Sequence, residues 1–550
     1  MSYSERIIKQ SFIWYWVIFV AYIALRCVAW RKTYLLEDSD SIGLLYQIKL
    51  FLTFDFKKIS NMGPDVTPFY LFWSALWSLP GWSVETGARV CSLFFSSLLF
   101  VALVFVGKRV ATSLEVVIGL LIVVFSPVLI SLSYAVLTEP SYVALCYIGL
   151  WLFITRYENP RIWEAWLLGI IFALSFLNRT EGILYLFVIP VIQGLHYLSG
   201  SQKKYGLKRL GVWCCIYVLS FSILAIPQIW QVSTKIGHLS INGRQVWTYI
   251  LKYPDGKSYD EKIYGLYYSP QQINIAYIQS HSGTNKKFLS TISIKSFLKD
   301  IRKNLRELYK EKLGIMIGPV GFFFFAIGLI AIYKSNRRFE CFTIIAFISS
   351  SLVAPLIHNV VIRHIAVIAP LMMLVEGIGI VYLARLLTAK MTLNPYGNIA
   401  KNVLTFIFLF AVCGYFIAPF KHIYFYQPRY NPEYNPAIIL KSAAVIKDVI
   451  QKDALKFSKI VDRKMYLPFY GDINGAPLPY TNYEGLVQYC KLNNVDFLFL
   501  RYNLIKEFPF LSTFYNRSKI NEFELLYSEM DDYGLNELYR VRLFRKPSTF

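Results

Sequence analysis

Long apolar runs recur along this 550-residue chain and constrain its fold more than any other feature. A helix needs about 20 apolar residues to cross a bilayer, so each run of roughly 18 or more predicts one span. With 55% hydrophobic and only 17% charged residues, the composition excludes a protein that is water-soluble over its whole length. We predict an α-helical polytopic membrane protein of about eleven spans, near residues 11–30, 88–107, 114–136, 139–155, 162–177, 181–198, 210–230, 313–333, 339–357, 365–387 and 402–420.

The distribution of Lys and Arg predicts the orientation of these spans. The net charge of +23 could suggest nucleic acid, but the basic residues fall mostly in short links between apolar runs. The positive-inside rule places such links in the cytoplasm, and we expect no nucleic-acid partner. Every even-numbered link is basic: Lys108 and Arg109; Arg156 and Arg161; Lys203, Lys204, Lys208 and Arg209; Lys334, Arg337 and Arg338; Arg385, Lys390 and Lys401.

This orientation puts three large segments outside, namely 31–87, 231–312 and the tail from 421. Stretches 42–54 and 68–79 predict short apolar helices along the membrane interface, and 286–312 predicts a basic amphipathic helix. The tail alternates short strand-like runs with polar helical stretches, which indicates a small α/β domain. We therefore expect a membrane domain at 1–420 and an extracytoplasmic domain at 421–550.

An acidic cluster follows the first apolar run directly. Glu37, Asp38 and Asp40 lie at the predicted outer end of that span. Such a position is poor for packing and suitable for chemistry on a substrate held at the membrane surface. We interpret it as an acid/base centre.

The other unusual charges fall at the same predicted membrane face. Asn178, Arg179 and Glu181 form a very short turn between two spans, where a mutual salt bridge is the structural alternative to a substrate-binding role. Glu139 opens the fourth predicted span and could be a plain helix start, with Pro140 after it. A further outer turn carries three potentially cationic groups that suit phosphate, with interfacial anchoring as the alternative: His358, Arg363 and His364.

With these residues in hand, the chain resembles GT-C glycosyltransferases, near the bacterial relatives of protein O-mannosyltransferases and the lipid A aminoarabinose transferases. The motifs run over nearly the whole length: Asp38-Ser39-Asp40-Ser41 with Leu44 and Ile48; Thr138-Glu139-Pro140; Asn178-Arg179-Thr180-Glu181-Gly182; Arg363-His364 with Ala369-Pro370-Leu371; and, in the tail, Asp462-Arg463-Lys464, Phe469-Tyr470-Gly471, Pro479 and Val495-Asp496-Phe497-Leu498.

The resemblance implies a polyprenyl-phosphate sugar donor and an aspartate in the first outer loop that acts on the acceptor. Asp40 fits that position better than Asp38, although relatives with an Asp-Glu pair leave both open. Some relatives use a divalent metal and others do not. The sequence has no CxxC, HExxH or similar ligand spacing, so we predict no definite cofactor.

These expectations combine into one reaction. Asp40 removes the proton of an acceptor hydroxyl on a lipid, glycan or protein, and the hexose or pentose is transferred with inversion. Fixed cations stabilise the leaving phosphate, with Arg179, Arg363 and the 286–312 helix as candidates. A nucleotide-sugar donor is disfavoured because no Gly-rich strand-to-helix loop exists. The alternatives are a transporter or flippase of lipid-linked glycans and a non-catalytic scaffold.

Overall fold

The structure is a computed structural model. It describes residues 3–31, 39–55, 68–158, 160–198, 206–237, 239–241, 294–317, 320–357, 362–388, 436–453, 458–463, 466–506, 508–516, 520–531 and 534–542. The chain divides into two compact units. The first contains 1–33, 66–230 and 292–427, and the second combines 34–65, 231–291 and 428–550. The tail therefore shares a unit with two earlier segments that we had assigned to the membrane domain.

Most of the described residues are helical. In chain order the α-helices are α1 Tyr3–Arg31, α2 Ser39–Leu52, α3 Pro68–Ser78, α4 Val84–Val110, α5 Ser113–Phe125, α6 Pro127–Tyr134, α7 Glu139–Arg156, α8 Ile162–Asn178, α9 Leu184–Leu198, α10 Gly206–Ile236, α11 Ile294–Glu307, α12 Leu313–Ile317, α13 Gly321–Lys334, α14 Arg338–Ile357, α15 Ile362–Ile365, α16 Ala369–Thr388, α17 Pro436–Lys452, α18 Tyr466–Gly471, α19 Tyr483–Asn493, α20 Tyr502–Ile505 and α21 Leu511–Tyr515. A 3-10 turn, Thr180–Ile183, precedes α9, and a π-helical turn, Leu308–Lys312, follows α11.

Among the described residues, six helices are long and apolar enough to cross a membrane, which makes the chain an integral multi-pass membrane protein. They are Phe12–Arg31, Val84–Val110, Thr180–Leu198, Gly206–Lys235, Arg338–Ile357 and Ala369–Leu387. The pair α5 and α6 makes a seventh span if it is counted as one, with a bend of 63°. The bend lies where Ser126 caps α6 and Pro127 occupies its first turn, because proline cannot continue the preceding helix.

The predicted count of about eleven spans stays a prediction. The runs at 139–155 and 162–177 form α7 and α8, and the run at 313–333 contains α12 and α13. The last predicted span, 402–420, lies outside the described residues.

Helix α16 is held between α5 and α13 by glycines. A Cβ at Gly328 of α13 would lie 2.0 Å from the carbonyl oxygen of Val375, and one at Gly379 would lie 2.0 Å from that of Phe324. On the other side, a Cβ at Gly377 would lie 2.2 Å from the backbone nitrogen of Gly119. The helices can approach this closely only because these positions lack side chains.

The two helices predicted at the membrane interface belong to different units. Helix α3 belongs to the first unit and buries Tyr70 and Leu71, with Phe69 against Phe95 of α4. Helix α2 belongs to the second unit. The basic amphipathic helix is present as α11, where Asn304 Nδ2 donates to the Leu356 carbonyl of α14 at 2.7 Å, and residues 286–293 lie outside the described part.

The second unit contains the predicted small α/β domain. Its sheet has five strands, β1 Lys459–Val461, β2 Asn474–Ala476, β3 Phe497–Arg501, β4 Phe523–Asp531 and β5 Gly534–Val541, in the order β2-β1-β3-β5-β4. Strand β1 pairs in parallel with β2 and β3, whereas β5 runs antiparallel to β3 and β4. Leu498, Leu500 and Tyr539 are buried in its core.

Candidate functional site

Arg179 lies at the centre of a charged cluster in the first unit. The chain leaves α8 in an extended conformation at this residue, which turns its side chain away from the helix. Arg179 Nη1 donates to Glu139 Oε1 at 2.5 Å, and Nη2 donates to Glu181 Oε1 at 2.7 Å. The side chains of Arg179 and Glu139 are only 10% and 4% exposed. The mutual salt bridge that the turn predicted is therefore present, and it includes a second carboxylate.

Glu139 is shared between two guanidinium groups. Arg363 Nε, from α15, lies 3.8 Å from the same oxygen that accepts from Arg179. The other carboxylate oxygen lies 3.5 Å from Thr138 Oγ1. Glu139 does begin α7, but its ion pairs extend well beyond a helix-start role. The guanidinium–carboxylate cluster, defined as Glu139, Arg179, Glu181, Arg363 and His364, thus joins three segments that are distant in sequence.

His364 contributes to this cluster as a neutral group. Burial, reinforced by the positive charge of Arg179, lowers the pKa of His364 to about 4. The sequence predicts three potentially cationic groups in this turn. His364 carries no charge near neutral pH, because burial, reinforced by the charge of Arg179, disfavours its protonated form. Two guanidiniums face two carboxylates, so the cluster is balanced in charge.

Asn178 acts beside the cluster rather than in it. Its side chain is fully buried, and Nδ2 donates to Ser141 Oγ at 2.5 Å, which ties α8 to α7. At Gly182 a Cβ would lie 2.5 Å from the backbone nitrogen of Phe176. The tight turn therefore requires glycine, and together these contacts fix the position from which Arg179 projects.

The candidate acids fall elsewhere in the chain. Asp40 is the second residue of α2 in the second unit, and its side chain is not among those described. Asp38 and His358 lie outside the described residues. Within the described part, no group of three His, Cys, Asp or Glu side chains could hold a metal ion.

Sequence reasoning missed one acid of the membrane bundle. Glu376 of α16 is fully buried, and among the described residues neither of its carboxylate oxygens has a hydrogen-bond partner. Oε1 lies 3.1 Å from where a Cβ of Gly321 would stand, so that glycine makes room for the carboxyl group. The sequence contains a signal for this residue, because Glu376 is the single acidic residue inside the apolar run 365–387.

Comparison with known proteins identifies the class of fold. No family model and no curated protein matches the sequence. Solved structures that resemble it include members of the GT-C glycosyltransferase superfamily. The chain therefore has the GT-C fold, and the predicted resemblance is confirmed at that level.

Two of these structures are ArnT from Cupriavidus metallidurans, a lipid A aminoarabinose transferase. The apo form matches with a TM-score of 0.56 and the form bound to undecaprenyl phosphate with 0.55, each at 11% identity over 95% of this chain and 97% of ArnT. A third is the oligosaccharyltransferase AglB from Archaeoglobus fulgidus, in complex with an inhibitory peptide and a dolichol-phosphate. It matches with a TM-score of 0.55 at 12% identity, over 90% of this chain and 70% of AglB.

Proposed function

We propose that this protein is a membrane glycosyltransferase that moves a sugar from a polyprenyl-phosphate donor to an acceptor at the extracytoplasmic face. The observation that carries the proposal is the nearly end-to-end match to ArnT, whose structure was solved with undecaprenyl phosphate. The acceptor is a lipid, a glycan or a protein, and the other partners are the surrounding membrane lipids.

Arg179 and Arg363 are the proposed ligands of the donor phosphate. A guanidinium has five N–H donors, so Arg179 can bind phosphate oxygens while it keeps its bonds to Glu139 and Glu181. The two carboxylates hold the guanidinium in place before the donor arrives. Preorganised donors of this kind stabilise negative charge as it develops on the leaving phosphate.

Asp40 is the proposed general base, with Asp38 as the alternative. An acceptor hydroxyl is a weak nucleophile near neutral pH, and a carboxylate that takes its proton lowers the barrier. The phosphate leaves without needing an acid. Attack opposite the phosphate by one activated hydroxyl implies inversion at the sugar carbon.

The decisive experiment is reconstitution with a synthetic polyprenyl-phosphate sugar and an acceptor-containing extract. We expect sugar transfer by the wild type and a loss of about 10² or more in Asp40→Asn, with donor binding retained. Asp38→Asn is the matched control and should lose less. Transfer from a nucleotide sugar, with none from the lipid donor, would overturn the proposal, and the reverse ranking of the two variants would move the base to Asp38.

Cysteine labelling, in a background without reactive native thiols, tests separately on which side of the membrane the predicted outer segments lie. Single cysteines at Asn61, Asn285 and Asn516 should react from outside, and one at Ser201 should not. Labelling of position 516 only after permeabilisation would contradict the extracytoplasmic assignment.

One observation favours the alternative of a flippase. Transporters carry ionisable groups within the membrane, and Glu376 is a buried acid of the bundle. Vesicles containing the protein distinguish the two functions. Movement of the lipid-linked sugar across the vesicle membrane without transfer to an acceptor would support the flippase.

A further inference from the structure

Helix α2, which carries Asp40, is docked on the α/β domain of the second unit. Lys49 Nζ lies 2.9 Å from Asp472 Oδ1 and 4.9 Å from the centre of the Phe469 ring. Tyr46 stacks edge-on against Phe469 with ring centroids 5.9 Å apart, and its hydroxyl donates to the Ile473 carbonyl at 3.5 Å. An ion pair, an aromatic contact and a hydrogen bond therefore join α2 to residues more than 400 positions later.

The surface that receives α2 is a rigid helix end. Asp472 has a φ of +54°, its N–H donates to the Phe469 carbonyl at 3.3 Å, and the N–H of Ile473 donates to the Pro468 carbonyl at 3.1 Å. These two bonds with a left-handed residue between them form a Schellman motif at the end of α18. The motif fixes the direction of both the Asp472 side chain and the Ile473 carbonyl, the two groups that contact α2.

The docked face of α2 is opposite to the face of position 40. Nine residues separate Asp40 from Lys49, which at 100° per residue is two and a half turns, so the two positions lie on opposite sides of the helix. Ile42 and Leu45, which lie within about 40° of Lys49 around the helix, are fully buried. Gly43 lies about 60° from position 40, and an added Cβ there would have nothing within 4 Å. The side of α2 that bears Lys49 is therefore anchored, and position 43 has room for a side chain.

We propose that the α/β domain positions the catalytic base, with Tyr46, Lys49, Phe469 and Asp472 as positioning residues of the transferase. The role assigned to Asp40 rests on the proposed function, whereas the docking of α2 rests on the contacts alone. Catalysis is sensitive to such positioning, because a shift of about 1 Å can cost roughly 10²-fold in rate. The domain then influences catalysis through helix α2.

No single contact should suffice to hold α2. The Lys49–Asp472 pair is exposed, with 37% and 79% of the side chains accessible, and exposed ion pairs are individually weak. Lys49, first by its hydrogen bond and then by its charge, holds the pKa of Asp472 below its usual value. Asp472 therefore stays ionised at neutral pH. Because the ion pair alone is weak, the experiment has to remove two contacts together.

The test combines Phe469→Ala with Asp472→Ala and follows both rate and mobility. We expect kcat to fall about tenfold or more while the KM for the lipid donor stays within about twofold. A spin label on Gly43→Cys, in a background without reactive native thiols, should become more mobile in the same variant. The matched control removes another exposed ion pair of the domain, Lys441 with Glu529 at 2.8 Å, and should change neither.

A charge exchange separates positioning from general damage to the domain. Lys49→Asp and Asp472→Lys should each lower kcat, and the two together should restore it to within about threefold. An unchanged kcat in the Phe469 and Asp472 double variant with a mobilised label would overturn the proposal. So would a fall in kcat with an immobile label. If the wild type itself transfers no sugar, the proposed function fails, and the label still decides whether α2 is docked.

Discussion

Arg179→Ala distinguishes a binding role of the guanidinium from a purely structural one. The substitution leaves Glu139, 4% exposed, with Arg363 at 3.8 Å, and it removes the 2.7 Å partner of Glu181. Removing one member of a buried ion pair costs about 3–5 kcal/mol, because the other charge stays buried without compensation. We expect about 3 kcal/mol, at the lower end, since Arg363 remains near Glu139.

The informative step is to neutralise the carboxylate that loses its partner as well. Arg179→Ala combined with Glu181→Gln leaves Glu139 paired with Arg363, so the free energy of unfolding should return to within about 1 kcal/mol of the wild type. Donor affinity should not return. One charge-assisted hydrogen bond to phosphate contributes about 1.5–3 kcal/mol, which corresponds to a loss of roughly 10- to 150-fold in affinity.

The two quantities are measured on the same detergent-purified samples, by thermal unfolding and by equilibrium binding of a polyprenyl-phosphate analogue. Arg89→Ala is the matched control, since Arg89 is a buried guanidinium of the same unit, paired with Glu85 at 3.0 Å. It should lower stability and leave donor affinity unchanged. Recovery of donor affinity in the double variant would refute the binding role and leave Arg179 as the neutralising partner of two acids.

Three further predictions concern packing, burial and pH. Gly328→Ala should lower the free energy of unfolding by about 1–3 kcal/mol or more, because its Cβ would lie 2.0 Å from the Val375 carbonyl oxygen. Gly211→Ala, whose Cβ would have nothing within 4 Å, should be neutral or stabilising by up to about 1 kcal/mol. Equal melting temperatures of the two variants would contradict this prediction. Glu376→Met should raise the melting temperature, since it removes a buried carboxyl whose burial costs about 1–3 kcal/mol, and a lower melting temperature would mean that the carboxyl is hydrogen-bonded. Stability should fall as the pH drops from about 6.5 towards 4, because the unfolded state protonates His364 in this window and the folded state, with its pKa of about 4, does not. His364→Gln should flatten that part of the profile, and parallel profiles would exclude this histidine as the cause.

Local sequence signals predicted the parts of this structure that depend on neighbouring residues. Arg179 and Glu181 form an ion pair because a two-residue separation in a tight turn keeps their side chains close together. The alternating runs of the tail predicted a small α/β domain, although not its short strand β2, and the order of the motifs along the chain predicted the GT-C fold.

Contacts between residues that are distant in sequence could not be predicted from such local signals. Hydropathy measures whether a run can span a bilayer and contains no information about which helix lies beside it. The contact between Glu139 and Arg179 joins residues 40 positions apart, and α2 was expected at the membrane interface because its run is short and apolar. Its attachment to the α/β domain depends on Tyr46 and Lys49, two side chains that look ordinary on such a helix.

The distance in sequence between α2 and its docking surface also sets the interval between their synthesis on the ribosome. Lys49 and Asp472 are separated by 423 residues. At about 5–20 residues per second, a ribosome needs roughly 20–85 s to make the second partner after the first. During that interval the growing chain already contains Asp40 but not the surface that would orient it. Under the proposed function, a nascent or prematurely terminated chain that lacks this surface is therefore expected not to transfer the lipid-linked sugar.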